Sequence, residues 1–407
     1  MLYFSNQELA NTHHVSVRTV RNWIESAKSG KLDITLHTKG ERVYIANTSK
    51  NIAVVQGLAK TGKKFRPHRS QKTVTPKSEF YELYTQGQLY DIVSDLEINH
   101  EIPRKYNYFG KGADNWNNYA KRLSQEDTPN TLKASIELLQ NNQEYLDYLL
   151  EQYDQINVID VGVGNSLPVR EFLGRLLEKK KIGRYIGLDI SPTMLKIAES
   201  NIQSWFGGDI IFEGHEVDID HERFGNLLAE EYIKTDSSRT TNLIMFLGGT
   251  IANFRKPETV LQVIHDSMGV NDFFIHSQKL DTLSSRRYFD FNPTPSTSQL
   301  APLHQYIFDL LNIDDSLYEV DMGLDKTHHE RYIRVILKVG LDIRFRFQGG
   351  ERVISFDKND KILLWRARQN NVTGVVNQLT ENEFYPIHIS QTSNQEFVLT
   401  VSRIRRD

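Results

Sequence analysis

Residues 158–166 read Val-Ile-Asp-Val-Gly-Val-Gly-Asn-Ser, an apolar strand running into an acid and then a glycine turn. The turn opens a helix from Leu167 to Leu177, and a second apolar strand, Tyr185 to Ile190, carries Asp189 at its end. A strand, a glycine turn, a helix and a strand ending in an acid make a βαβ unit. That unit requires a parallel sheet with helices on its faces. Strands and helices go on alternating from Asn157 onward, so the expected core is a doubly wound α/β sheet. Glycine lets the backbone approach a ligand closely, and a carboxylate on the next strand can accept hydrogen bonds from a ribose diol. The pattern implies a nucleoside-bearing ligand.

The details of the turn select the nucleoside. Dinucleotide sites use three glycines, the last of which lets a helix N-terminus close on a pyrophosphate. Here Gly162 and Gly164 are followed by Asn165 and Ser166, and acidic Asp160 stands just before the turn. A pyrophosphate is poorly served by that arrangement. A cationic sulfonium bearing an amino acid fits better, with Asp160 acting on the ammonium side, so S-adenosylmethionine is the expected cofactor. Asp189 lies 25 residues after Gly164, the spacing of a ribose acid after one helix, and Ile190 follows it. Asp218, in His215-Glu-Val-Asp218, is placed to accept the adenine amino group. No metal is expected: the chain has no cysteine, and adjacent His328 and His329 point to opposite faces.

The segment Asn242 to Phe254 supplies the fourth strand. Phe246 ends its apolar run, Gly248, Gly249 and Thr250 open the chain at the carboxyl edge, and Asn253 follows with an amide donor and acceptor. The block Phe246 to Phe254 resembles the strand-four signature of the histidine-specific, ergothioneine-type methyltransferases that use S-adenosylmethionine. The closing strand Gln395 to Arg403 is similar to the last strand of that family. The resemblance covers roughly residues 150 to 405 and implies a Rossmann-like class I methyltransferase domain, with Asn253 holding the acceptor. It also implies an acid and a serine late in the chain that contact an imidazole. Gly350 to Lys358 places Phe356 and Lys358 there, which counts against histidine itself as acceptor.

Upstream, residues 79–150 read as a helical cap over the acceptor side. Within it Lys105 to Tyr119 is rich in aromatics and glycine, with Tyr108 and Trp116 as a lid over the sulfonium or, alternatively, as packing for the cap. Tyr108 and Asn253 are the candidate catalytic residues, and Asp281 is a pocket acid or a turn residue.

The first 64 residues have a different character. Ser5 and Ser16 are N-caps of two short helices, and Val17, Val20, Trp23 and Ile24 share the inner face of the second. Arg18, Arg21 and Asn22 fall outside. A hairpin follows, Leu32–Leu36 and Arg42–Ile45, turning at Lys39-Gly40. Residues 1–64 thus resemble a MerR- or excisionase-like winged helix-turn-helix, which implies duplex DNA as partner through Arg18, Arg21, Asn22, Lys39 and Arg42. A protein-docking module is the alternative. Between Arg18 and Lys72 thirteen Lys and Arg face three acids, a net of +10, so with −3 overall the remainder carries −13. A basic module on an acidic body restricts a nucleic-acid partner to the N-terminal part. Residues 65–78, polar and containing Pro67 and Pro76, read as a linker to the methyltransferase domain at 151–407.

The expected function is N-methylation of a small amine or amino-acid-like molecule by a cytoplasmic enzyme with no membrane segment. The alternatives are a ligand-sensing transcription regulator on the same fold and a protein methyltransferase. Base methylation is disfavoured, because Gly248–Thr250 stands where an N/D-P-P-aromatic motif belongs and Asn292–Pro295 is not that motif. Oligomeric state is open, a homodimer included.

Overall fold

The computed structural model describes residues 3–13, 15–39, 42–62, 71–127, 129–228, 239–283 and 299–405. Gly40 of the expected wing turn, residues 65–70 of the expected linker and Asn292–Pro295 lie outside these, as does the side chain of Arg42. No helix among the described residues is long and apolar enough to cross a membrane. The chain divides into two compact units, Met1–Gln71 and Lys72–Asp407.

The N-terminal unit begins with a two-residue strand β1 (Tyr3–Phe4) and two helices, α1 (Asn6–His13) and α2 (Val17–Lys28). Ser5 and Ser16 cap them: Ser5 Oγ accepts from Glu8 N at 3.1 Å and Ser16 Oγ from Thr19 N at 3.0 Å. Strands β2 (Leu36–Lys39) and β3 (Arg42–Ala46) pair antiparallel, with β1 on the far side of β3. The hairpin thus starts at Leu36, where the sequence reading ended its first strand. Buried Ile34 turns into the core instead, against Val20, Trp23 and Ile45. Helix α3 (Ser49–Gly62) was not expected; its buried Asn51 donates to the carbonyls of Thr35 and Ala46, both at 2.8 Å, and so anchors the ends of the hairpin.

At the start of the second unit, from the boundary residue Gln71, β4 (Gln71–Val74) is a strand where a linker was expected, and Lys77 N donates to Leu310 O at 2.9 Å. Its backbone groups are taken up by sheet pairing. Helices follow: α4 (Ser78–Leu83), α5 (Gln86–Asn99), α6 (Lys111–Gln125), α7 (Thr131–Asn141) and α8 (Gln143–Leu150). The central sheet is built from β5 (Gln155–Val161), β6 (Ile182–Asp189), β7 (Phe212–Glu216), β8 (Thr240–Phe246) and β9 (Phe273–Lys279). Between them run α9 (Arg170–Glu178), α10 (Pro192–Phe206) and α11 (Pro257–Ser267).

After β9 the chain leaves the sheet. It forms α12 (Pro302–Leu310) and five strands: β10 (Tyr318–Asp325), β11 (Glu330–Leu337), β12 (Gly340–Phe347), β13 (Gly350–Phe356) and β14 (Lys361–Arg368). It then returns through α13 (Val372–Glu381) to β15 (Phe384–Gln391) and β16 (Phe397–Ile404). The seven-stranded sheet has the order β15-β16-β9-β8-β5-β6-β7, with β5 to β9 parallel and β16 set antiparallel between β9 and β15. This is the doubly wound, Rossmann-like core the βαβ pattern implied.

Alternation along the strands fills both faces of the sheet. Val158, Leu243 and Ile275 pack toward α7, α8 and α9, while Ile159, Ile244 and Phe274 pack toward α11 and α13. A separate core joins α4, α5 and α12 to the two three-stranded sheets β10-β11-β14 and β13-β12-β4. Two corrections follow. The cap is a mixed helix-and-sheet body rather than residues 79–150 alone, and α7 and α8 of that segment belong to the main sheet. Their apolar faces (Leu138, Leu139, Leu146, Leu150) are buried there.

Candidate active site

A cavity opens at the carboxyl ends of β5, β6, β7 and β8, at the point where strand order reverses between β5 and β8, as expected for an open α/β sheet. Its floor is the glycine turn. Gly162 and Gly164 both adopt the left-handed region (φ 65° and 54°), and Gly162 N donates to Leu188 O at 2.8 Å. A Cβ on Gly164 would stand 2.7 Å from Cη2 of Trp116, so close approach and backbone conformation both require glycine there.

Asp189 and Ile190 line the cavity at the end of β6. Backbone N–H groups of Ser191, Gly164 and Ile190 donate to the Asp189 carboxylate, with Ser191 N at 2.9 Å. Burial nevertheless pushes its pKa up to about 6. Asp218 lies beyond β7 on the same cavity, but its carboxylate is already engaged. Lys105 Nζ stands 2.7 Å from its Oδ2 and also reaches Asp220 at 3.1 Å and Asp91 at 3.3 Å, while Asp220 N donates to Oδ1 at 3.2 Å. The carboxylate expected to accept the adenine amino group is therefore held in an ion pair. Lys105 itself lines the cavity and is not marked by the sequence, because two of its three carboxylate partners lie more than a hundred residues away.

Lys105 belongs to a single 3-10 turn, Arg104–Tyr108, that roofs the cavity with α6. Ser191 Oγ donates to Tyr108 O at 2.6 Å, and Asn165 Nδ2 donates to Asn117 Oδ1 at 3.1 Å. Tyr108 and Trp116 meet edge to face with centroids 6.3 Å apart, and both line the cavity. The two sequence alternatives for this aromatic segment divide by residue. Tyr108 and Trp116 face the cavity, whereas Tyr106 and Phe109 are packing for the second core.

Several sequence candidates stand behind the lining rather than in it. Asp160 is buried; Tyr185 Oη donates its one proton to Asp160 Oδ2 at 3.0 Å and accepts from Ser166 Oγ at 2.9 Å. Asp160 shares the strand face of Val158, so it points away from the cavity that Val161 lines. Burial raises its pKa to about 8, so it is largely protonated at neutral pH. Asn165 and Ser166 hold the turn and the first residues of the following helix: Asn165 Oδ1 accepts from Leu167 N at 3.2 Å.

On the β8 side Phe246 and Thr250 line the cavity, together with Phe254, which the sequence reading passed over. Gly248 and Gly249 shape the bend (φ 79° and 71°), their N–H groups held by Ser277 Oγ at 3.0 Å and Ser277 O at 3.1 Å. Asn253 closes the turn Thr250–Asn253, half-buried, with its amide engaged by no described residue. That turn packs against β14 of the second core. Asp281 sits just past β9, its N–H on Asn370 O at 2.8 Å and outside the cavity lining.

Phe356 and Lys358 do not face this site. Phe356 is buried in the second core edge-on to His100, and Lys358 is exposed after β13. The alternation of β13 sends Ile354 and Phe356 inward, so the inference against histidine drawn from those positions has no structural basis.

The lining suits an adenosyl sulfonium. Apolar Leu188, Ile190, Met194, Val217 and Phe246 offer faces for a purine, Asp189 can take a diol, and two aromatic rings stand over the glycine turn. The family comparison agrees. A model of the family described as "Histidine-specific methyltransferase, SAM-dependent" matches residues 90–404. No curated protein matches the chain. Among solved structures, an S-adenosylmethionine-dependent methyltransferase from Clostridium acetobutylicum is 10% identical, over 72% of this chain and 99% of that one, with a TM-score of 0.37. The 1,6-didemethyltoxoflavin-N1-methyltransferase of Burkholderia thailandensis is 10% identical over 66% and 79%, with a TM-score of 0.32. The family match takes in the glycine turn, Asp189 and the strand-four block alike, and the chain therefore belongs to the histidine-specific, S-adenosylmethionine-dependent methyltransferases.

Proposed function

We propose that this methyltransferase alkylates the nitrogen of a small amine or amino-acid-like acceptor, and that its N-terminal unit reads duplex DNA. The observation that carries the catalytic part is the placing of Asp189, Tyr108 and Trp116 around one cavity, with Asn253, whose amide meets no described residue, one turn beyond Thr250. Bound S-adenosylmethionine supplies an activated methyl group on a sulfonium. Asp189 holds the ribose, the Gly162–Gly164 backbone allows close approach of the amino-acid end, and Tyr108 and Trp116 present their ring faces to the positive sulfur. Asp160, Asn165 and Ser166 keep the turn in shape from behind. Asp218 and Lys105 close the adenine end together.

Methyl transfer between two positioned atoms depends on alignment more than on a base, and near-attack geometry can supply about 7–11 kcal/mol. Asn253 and Tyr108 are suited to fix the acceptor in line. The acceptor must arrive as the free amine, and excluding water beneath the roof favours its neutral form. The test is calorimetry with S-adenosylmethionine followed by S-adenosylhomocysteine release over a panel of amines and amino acids. Tight cofactor binding with no release from any acceptor would favour a ligand sensor over an enzyme.

For the N-terminal unit the supporting observation is the exposure of Arg18, Arg21 and Asn22 along one side of α2, with Lys39 exposed on β2. A long, exposed, basic helix side suits phosphate contact and major-groove entry. Replacing Arg18 and Arg21 by Ala should weaken binding to random duplex and lower the salt slope by about one to two; an unchanged slope would remove α2 from the interface.

A further inference from the structure

The roofing turn Arg104–Tyr108 has a second side. Its three-residue repeat aligns Lys105 with Tyr108, both on the donor cavity, and aligns Arg104 with Asn107 on the other face. The Arg104 guanidinium carbon lies 5.7 Å from the ring centroid of Tyr108 and 5.8 Å from that of Trp365 on β14, and its Nε donates to the Tyr108 hydroxyl. Neighbouring arginines are neutralised: Arg255 pairs with Asp95 at 2.6 Å, and Arg366 with Glu101 at 2.6 Å and Glu330 at 3.3 Å. Arg104 has no carboxylate among the described residues, only two aromatic rings and a hydroxyl.

Two further groups beside it lack partners. Asn107 is 1% exposed, and neither its Oδ1 nor its Nδ2 meets a hydrogen-bonding atom. His304, 6% exposed, lies on α12, which packs against the turn, and its Nδ1 is equally unpaired. Burial, helped by the charge of Arg104, lowers the His304 pKa to about 3 and keeps the ring neutral. An unpartnered buried amide or imidazole costs about 1–3 kcal/mol, which a ligand using it would recover.

We propose that this face of the turn binds an oxyanion carried by the methyl acceptor. Arg104 is its main contact, with the buried ring of His304 close enough to feel the Arg104 charge. This rests on the reading of the acceptor as an amine and narrows it to amines that also bear a carboxylate or a phosphate. A guanidinium held between two rings is fixed in plane, keeps its outer N–H edge, and pairs bidentately with either anion. One aromatic ring, Tyr108, then separates the anion contact from the donor cavity, so the roof couples acceptor recognition to closure over the donor.

The test uses the full chain and matched pairs of probes: L-histidine with histamine, L-tyrosine with tyramine, and O-phosphoethanolamine with ethanolamine. Binding to protein saturated with S-adenosylhomocysteine is read by calorimetry, and turnover by S-adenosylhomocysteine release. The anionic member of at least one pair should bind about tenfold or more tightly than its partner. Arg104→Gln should erase that preference while the Tm, measured as the check on folding, stays within about 3 °C, and Arg104→Lys should restore part of it. Preference for the carboxylate pairs or for the phosphate pair identifies the anion. Equal binding within every pair, or a preference that survives Arg104→Gln, overturns the Arg104 assignment and leaves amine methylation standing. No binding and no turnover with any probe overturns the amine reading and the anion site together.

Discussion

Replacing Asp189 by Asn gives the sharpest test of the donor site. The change keeps the side-chain shape and an oxygen able to accept from Ser191 N, so the turn should survive. What it removes is the charge. A hydrogen bond to an ionised group is worth about 1.5–3 kcal/mol against about 0.5–1.5 for a neutral pair. A ribose diol makes two such bonds, so the loss comes to about 2–3 kcal/mol, or a Kd about 30- to 140-fold weaker. The pH dependence follows from the raised pKa. The free carboxyl is half protonated at about pH 6, and the diol binds the ionised form. As pH falls through that value the wild-type Kd should rise, approaching about tenfold per unit, while Asp189→Asn should be flat over the same range. Calorimetry between pH 5 and 8 reads both (about three units span the transition). A Kd unchanged by the substitution, or a variant that keeps the wild-type pH profile, would refute the ribose assignment.

Other perturbations check the rest of the site. Gly164→Ala should cost about 1–2 kcal/mol for its left-handed backbone and push Trp116 aside, weakening cofactor binding; Trp116→Leu should relieve the steric part in a double-mutant cycle. Lys105→Met leaves Asp91, Asp218 and Asp220 facing one another, and since these groups are 19–37% exposed the loss should be about 1–3 kcal/mol, read as a lower Tm and faster cofactor release. Asp160 has a raised folded pKa of about 8 against an ordinary 3.8, so the native state binds the extra proton and stability should decline as pH rises between those values. Asp160→Asn should flatten that decline in denaturant titrations at pH 5 and about 8.5, and an equal slope in both proteins would place the carboxyl elsewhere.

The donor half was legible because its signals are local and geometric. A glycine turn, one helix and an acid on the next strand fix their own separation, so Gly162, Gly164 and Asp189 could be placed from spacing alone. Asp160 was misplaced for want of one step: strand parity puts it on the face of Val158 and Val161 on the other. The roof was only half legible. Tyr108 and Trp116 stood out by type, but nothing near Lys105 signals a carboxylate cluster 113 and 115 residues downstream. The β10–β14 insertion was missed altogether, and part of it, β13, was read as a site element. A segment that packs into a second core carries the same apolar alternation as one that borders a pocket, so pattern alone could not separate Phe356 from a lining residue.

The central claim is that this cavity delivers a methyl group to an amine. The direct measurement is mass spectrometry of acceptors incubated with protein and S-adenosylmethionine labelled on its methyl group, run beside Asp189→Asn. The account predicts a nitrogen-methylated product bearing the label, formed in step with S-adenosylhomocysteine and strongly reduced in the variant. Tight cofactor binding with no label in any amine or amino acid, or equal labelling by the variant, would contradict it.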